Sequence, residues 1–254
     1  MRTVAVVDDA TVIRESLPAL MPRLQFAGGW STIEAMLAAR PVADALVLDL
    51  HLSNASQPDV RQGVAAIRAA VAAGYRVCVF SQEERRFVLA ACLAAGARGV
   101  VSKSAPTARA EEVITAVAEG EVVVPPSVIG LVEVLVRRNS LTILSERQRQ
   151  VLAGRARGLT YAEMSTQLHL SESTLRGYWA EVSRSVSEHF QRVVPAELEH
   201  ALGLGPGDLL EYWPAPVGPP GAGAPGGAGA AATAPAPAVA ERRAEPWWRL
   251  RPTR

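Results

Sequence analysis

Of the chain's 26 basic residues, 25 are Arg and one, Lys103, is Lys. Aspartate is also scarce: there are six, and three of them, Asp8, Asp9 and Asp49, lie within or at the end of apolar runs. If those runs are neighbouring strands of one sheet, three carboxylates converge on one rim. Packed carboxylates repel one another, which raises their pKa unless a cation neutralises them. A hard divalent ion that prefers oxygen ligands and keeps several waters, Mg2+, suits such a cluster. Ser81 closes a fourth apolar run and Lys103 lies just past a fifth, so both reach the same rim. Three carboxylates, a metal, a hydroxyl and an ammonium suit a phosphoryl group. One carboxylate attacks while the cations neutralise the transferring oxygens. Lysine serves there as a point charge on a long stem, where arginine presents a fork of different geometry.

The elements that must position these groups are legible in the first 120 residues. Apolar runs at 3–7, 25–30, 45–50, 76–80 and 98–101 alternate with helical-period segments such as Val64, Ile67, Ala70, Val71 and Val88, Leu89, Cys92, Leu93. Apolar strands separated by helices predict a parallel sheet buried on both faces, a doubly wound α/β fold of five strands. Such folds place ligands at the carboxyl ends of their strands.

The motifs VVDD, LVLDL, VFS and VVSK, in this order, resemble the receiver domain of two-component response regulators. The resemblance covers residues 1–120. It implies that Asp49 accepts phosphate from a histidine kinase or a small phosphodonor. Asp9 would bind Mg2+ directly and Asp8 through water, with Ser81 and Lys103 contacting the phosphoryl group. Two positions depart from the family: Val100 stands where a Tyr or Phe is usual, and Ser53 where a Pro usually follows the acceptor, within the polar loop SNASQPD. The familiar rotation of an aromatic ring is therefore absent.

Residues 121–143 hold a Pro-Pro break and an apolar segment, 126–138, and are expected to form a linker with its own helix. From 144 to 202 the pattern is purely helical. Ser145 with Gln148 and Thr160 with Glu163 fit the capping box, and Ser171 is a third N-cap. A short helix at 161–168, a turn and a longer helix at 172–185 predict a helix-turn-helix whose second helix enters the major groove. Met164, Leu168, Leu170, Leu175 and Val182 are its expected core. Ser171 and Thr174 are placed to meet phosphates through hydroxyls and backbone N–H groups. Seven Arg against five Glu in 144–192 give a weakly basic footprint. The pattern resembles the LuxR-type DNA-binding domain, and joined to a receiver it resembles the NarL/FixJ family of response regulators. That resemblance places Arg176, Gly177 and Ala180 toward the groove, with Ser173, Tyr178 and Arg184 behind them. Residues 193–202 are expected to add an amphipathic helix for homodimer contacts.

Composition bounds the alternatives. The chain has 254 residues, is 49% hydrophobic and carries a formal net charge of +1, which is globular and excludes a polybasic coat or tail. Cys78 and Cys92 are expected as buried thiols in a reducing compartment, and no leader or membrane span fits, so the expected location is the cytoplasm. Residues 203–254 include 27 uncharged residues (214–240) with 7 Pro, 6 Gly and 11 Ala, expected as a disordered tail.

These features predict a DNA-binding transcriptional regulator, not an enzyme acting on an external substrate. The alternatives are a phosphorylation-independent regulator whose receiver dimerises or senses a ligand, a Mg2+-dependent phosphatase, and a protein-interaction adaptor. The phosphatase lacks the second acid it would need two residues after the nucleophile, where His51 stands. Local roles compete with the site roles: Asp8 and Asp9 as caps of the first helix, Ser81 as the cap of another, His51 facing solvent, and Trp179 in a core or interface.

Overall fold

The computed structural model describes residues 1–52, 60–210, 213 and 214. Five strands, β1 (Arg2–Val7), β2 (Leu24–Trp30), β3 (Ala45–Leu48), β4 (Val77–Ser81) and β5 (Gly99–Ser102), form one parallel sheet in the order β2-β1-β3-β4-β5. The helices between and after them are α1 (Thr11–Leu20), α2 (Ile33–Ala39), α3 (Gly63–Ala72), α4 (Arg86–Ala94) and α5 (Thr107–Ala118). β3 and β4 are buried at every residue, as expected where helices cover both faces. On one face, Val4, Val6, Val47, Cys78, Phe80 and Val101 meet Leu17 from α1, Met21 just past its end, and Val113, Ile114 and Val117 from α5.

The two-residue period of a strand decides which groups share a side at the carboxyl end of the sheet. Asp8 continues the register of Val4 and Val6, Asp49 that of Ala45 and Val47, and Lys103 that of Val101. Alternation thus delivers all three to one side of the sheet. Val100 takes the other side, buried in contact range of α4. Full burial raises the Cys78 thiol to about 12 and pushes Cys92 higher still, so both are inert core residues.

The helical part contains α6 (Pro126–Arg137), α7 (Glu146–Ala156), α8 (Tyr161–Leu168), α9 (Glu172–Arg192) and α10 (Pro195–Leu202). Both predicted capping boxes are formed, and the Ser171 side chain accepts from the Thr174 amide. His169 ends α8 in the left-handed region, which makes the tight turn before α9. Val151, Met164 and Leu175 form the small core, with Leu168, Leu170, Tyr178 and Trp179 packed around it. Val182 is buried as well.

Two boundaries differ from the sequence expectation. α9 runs two turns past 185, because Val182, Val186 and Phe190 continue its buried stripe at four-residue spacing until Pro195. Packed structure also continues beyond Leu202. Leu209 is buried, Trp213 meets Phe190 edge to face at 5.6 Å, and Glu199 accepts from the Gly207 and Leu209 amides. The expected tail therefore begins inside the fold.

From Val88 to Ala94, α4 is buried on every side: it lies on the sheet and is covered by α6 and α9. The α/β and helical parts thus share one packed interior, and residues 1–216 form a single compact unit.

Gly99 allows the close approach of α5 to β5. A Cβ built there lies 2.6 Å from Val117 Cγ2, with Val113 and Cys78 also in contact. Gly99→Ala is expected to overpack this contact and cost about 1–3 kcal/mol, read as a lower urea midpoint at unchanged m-value.

Candidate functional site

At the carboxyl edge of the sheet, the Lys103 ammonium lies 2.7 Å from Asp8 Oδ2 and 3.0 Å from Asp49 Oδ2. The remaining oxygens are held by local backbone: Asp8 Oδ1 accepts from the Ala10 amide at 2.9 Å and Asp49 Oδ1 from the Leu50 amide at 2.8 Å. Asp9 is half-buried, and one carboxylate oxygen from each of Asp8, Asp9 and Asp49 lies within 4.8 Å of the other two. Burial raises the Asp8 carboxyl above its ordinary value, with Lys103 pulling the other way. Burial also opposes the charge on Lys103, but Asp49 and Asp8 together outweigh it and raise its pKa. The lysine is therefore a firmly held cation in an acid-lined recess. An all-oxygen donor set of this size fits a hard divalent cation such as Mg2+.

The competing local roles resolve. Asp8 and Asp9 do not cap α1, whose N-cap is Ala10 without a side-chain bond. Ser81 does not cap α4 either, because that helix starts at Arg86 behind Arg85. Ser81 is buried at the end of β4, where its hydroxyl accepts from the Glu83 amide at 3.4 Å. Among the described residues it makes no hydrogen bond to Asp49 or Lys103, although the Lys103 amide donates to the Ser81 carbonyl at 2.9 Å. His51 is half-buried, and its charge helps to lower the Glu83 carboxyl, for which burial is the largest, opposing effect and Arg85 the main partner. Ser53 and the loop to Asp59 lie outside the described residues.

One contributor escapes the sequence reasoning. Arg14, one turn into α1, donates to the carbonyls of both Asp8 and Asp9 and to Thr11 Oγ1. It fixes the turn that presents the acid pair. Its only sequence signal is a basic residue five positions after that pair.

The second surface is the exposed start of α9. Ser171, Ser173, Thr174, Arg176, Gly177, Ala180 and Arg184 are all exposed. Tyr178 is half-buried and packs on the small core, as does Trp179. The Ser171 hydroxyl is engaged as the cap and lies 2.8 Å from both Ser173 Oγ and Thr174 Oγ1. No described helix is long and apolar enough to cross a membrane.

Residues 142–185 match the family described as bacterial regulatory proteins, luxR family. The chain is 25% identical over 194 residues to a nitrate/nitrite response regulator protein homolog of Haemophilus influenzae, covering 73% of this chain and 90% of that protein. It is 32% identical over 113 residues to the response regulator RamR of Streptomyces coelicolor, covering 44% of this chain and 54% of that protein. The chain is thus similar to response regulators over 73% of its length. Residues 142–185 of its helical part match the luxR family, and its α/β part is a five-stranded parallel sheet flanked by helices. Among solved structures, the Salmonella typhimurium RcsB response regulator aligns over 80% of this chain and 98% of its own at 18% identity and TM-score 0.46. Full-length FixJ from B. japonicum aligns over 80% and 96% at 19% identity and TM-score 0.39.

Lys103 is the cation that bridges Asp8 and Asp49. Lys103→Met is expected to leave Asp8 and Asp49 repelling in a buried place and to cost about 3 kcal/mol. Millimolar Mg2+ should restore part of that loss. Melting temperatures of both forms with and without Mg2+ check this; equal stability of the two forms in chelator would show that the pair contributes nothing.

Proposed function

We propose that this regulator is switched by phosphoryl transfer to Asp49 and reads DNA through α9. The observation that supports the first half most strongly is the Lys103 ammonium bridging Asp8 and Asp49 at the edge of the sheet. In the proposed step an Asp49 oxygen forms a bond to phosphorus. The donor's P–N bond breaks if it is a histidine kinase, or its P–O bond if it is a small acyl phosphate. Lys103 then exchanges its ion pair with Asp49 for a phosphoryl oxygen, and Ser81 turns its hydroxyl to another. Asp8, Asp9 and Asp49 would hold Mg2+, which when bound neutralises phosphoryl oxygens. No external substrate is turned over, and the protein acts in the cytoplasm with its phosphodonor and DNA.

On the DNA side, Arg176 is the proposed base reader. Ser171, Ser173, Thr174, Gly177, Tyr178, Ala180 and Arg184 form the surrounding contact surface, with phosphates met by hydroxyls, Arg184 and the α9 amides. The receiver (1–120), linker (121–143) and helix-turn-helix domain (144–202) divide these tasks. A homodimer would present two copies of α9 to paired half-sites. Coupling runs through α4, which touches the sheet on one side and α6 and α9 on the other. Displacement at the end of β4 is thereby felt by the DNA-binding part.

A second reading has its own support. Val100 is a buried valine that offers no ring to rotate, which favours a receiver that dimerises or senses a ligand without phosphate. Incubation with a radiolabelled acyl phosphate and Mg2+ separates the two. The expected result is label that survives in wild type and is lost in Asp49→Asn, with a higher dimer fraction and tighter DNA binding in the labelled sample. DNA binding with no label in wild type would leave the second reading standing.

A further inference from the structure

Arg176 is the groove-facing residue of α9 with the greatest capacity to read a base, and it does not stand alone. Its guanidinium donates to Glu172 Oε2 at 3.0 Å, one turn earlier on the same helix, and lies 4.4 Å from the centre of the Tyr161 ring. An exposed ion pair within one helix holds an arginine only loosely. The ring adds a contact from a different element. Tyr161 opens α8 immediately after the Thr160–Glu163 capping box and packs on the core of Val151, Met164 and Leu175. A second guanidinium, that of Arg155, lies 5.1 Å from the same ring and 5.7 Å from that of Trp179. Arg155 also donates to the Leu159 carbonyl at 3.0 Å. Tyr161 is thus fixed from behind, and it ties the position of Arg176 to the fold and not merely to its own helix.

We propose that Tyr161 is a specificity-determining positioning residue. With Glu172, it holds the Arg176 guanidinium in one pose before DNA arrives, and that pose selects which base edge the arginine meets. The inference rests on the proposed reading of DNA through α9. Two physical effects carry it. A long cationic side chain has many rotamers, and ordering them beforehand removes a cost that would otherwise fall on binding. Arginine discriminates bases only when both of its forked donors reach a matched pair of acceptors, such as N7 and O6 of guanine, so a small change in angle forfeits the preference. Tyr161 contacts no DNA in this scheme and adds no charge, so its loss should change which sequences are preferred without changing the number of phosphates neutralised.

Full-length protein is used to select binding sites from a pool of randomised duplexes, and affinity for the selected site is measured across salt concentrations. Wild type and Tyr161→Phe are expected to share one consensus. Arg176→Ala should lose discrimination at one base position by about tenfold or more with little change in the salt slope, since it meets a base edge and no phosphate. Tyr161→Leu should relax that same position by about two- to fivefold with the salt slope unchanged. Glu172→Ala, which removes only an exposed side chain, should relax it as well and serves as the deciding variant if Tyr161→Leu does not fold. A purely structural role for Tyr161 would lower affinity for all sequences alike, and that result overturns the inference. So does a consensus unchanged in both Tyr161→Leu and Glu172→Ala. A wild-type consensus that Arg176→Ala leaves intact refutes the positioning role but spares DNA binding, whereas a wild type with no sequence preference removes both.

Discussion

One cation compensating a group of carboxylates governs the α/β half of this protein. Asp8 and Asp49 are buried acids brought together by two adjacent parallel strands, and burial raises the Asp8 carboxyl above its ordinary value. Lys103, arriving from the far strand of the sheet, makes their charge tolerable. The pairing stabilises the arrangement, and in the proposed function a phosphoryl group or a divalent ion takes over either side of it. The surrounding structure serves that balance. Arg14 clamps the carbonyls of the acid pair, and amides of Ala10 and Leu50 occupy the oxygens that Lys103 does not.

The link from this recess to the helical half is a matter of packing. α4 follows the strand that ends at Ser81, and all of its apolar residues from Val88 onward are buried, some against the sheet and some against α6 and α9. A helix with no free face cannot move without its neighbours adjusting, since close-packed interiors transmit displacement rather than absorb it. The first half of α9 remains largely exposed while its second half carries a buried stripe of Val182, Val186 and Phe190. Docking and the proposed DNA contact thus use different stretches of one helix.

Much of this was legible in the residue order. Five apolar runs separated by helical periods specified the doubly wound sheet, and the capping boxes at Ser145 and Thr160 formed as their spacing implied. The lone lysine and the clustered aspartates marked the recess. The extension of α9 was also written in the four-residue spacing of Val182, Val186 and Phe190, but the helix outruns the domain pattern that frames it. Trp213 was hidden in a stretch of tail-like composition, because composition reports average burial and not which single ring finds a partner. Ser81 looked like a cap by spacing alone, whereas the chain runs on to Arg85 before α4 begins.

What the order of residues determined by itself is periodic and local: strand against helix, where helices start, and which groups carry charge. Those features arise from backbone sterics and from the two repeat lengths of 2 and 3.6 residues, which need no partner to be read. What only the tertiary structure decided is which distant groups meet. Lys103 lies between Asp8 and Asp49 and not merely near them, Arg14 grips the acid turn, and Tyr161 supports Arg176 across two helices. Such contacts depend on the register between strands and on how closely helices approach. Both are set by the packing of the whole interior, so no window of sequence contains them.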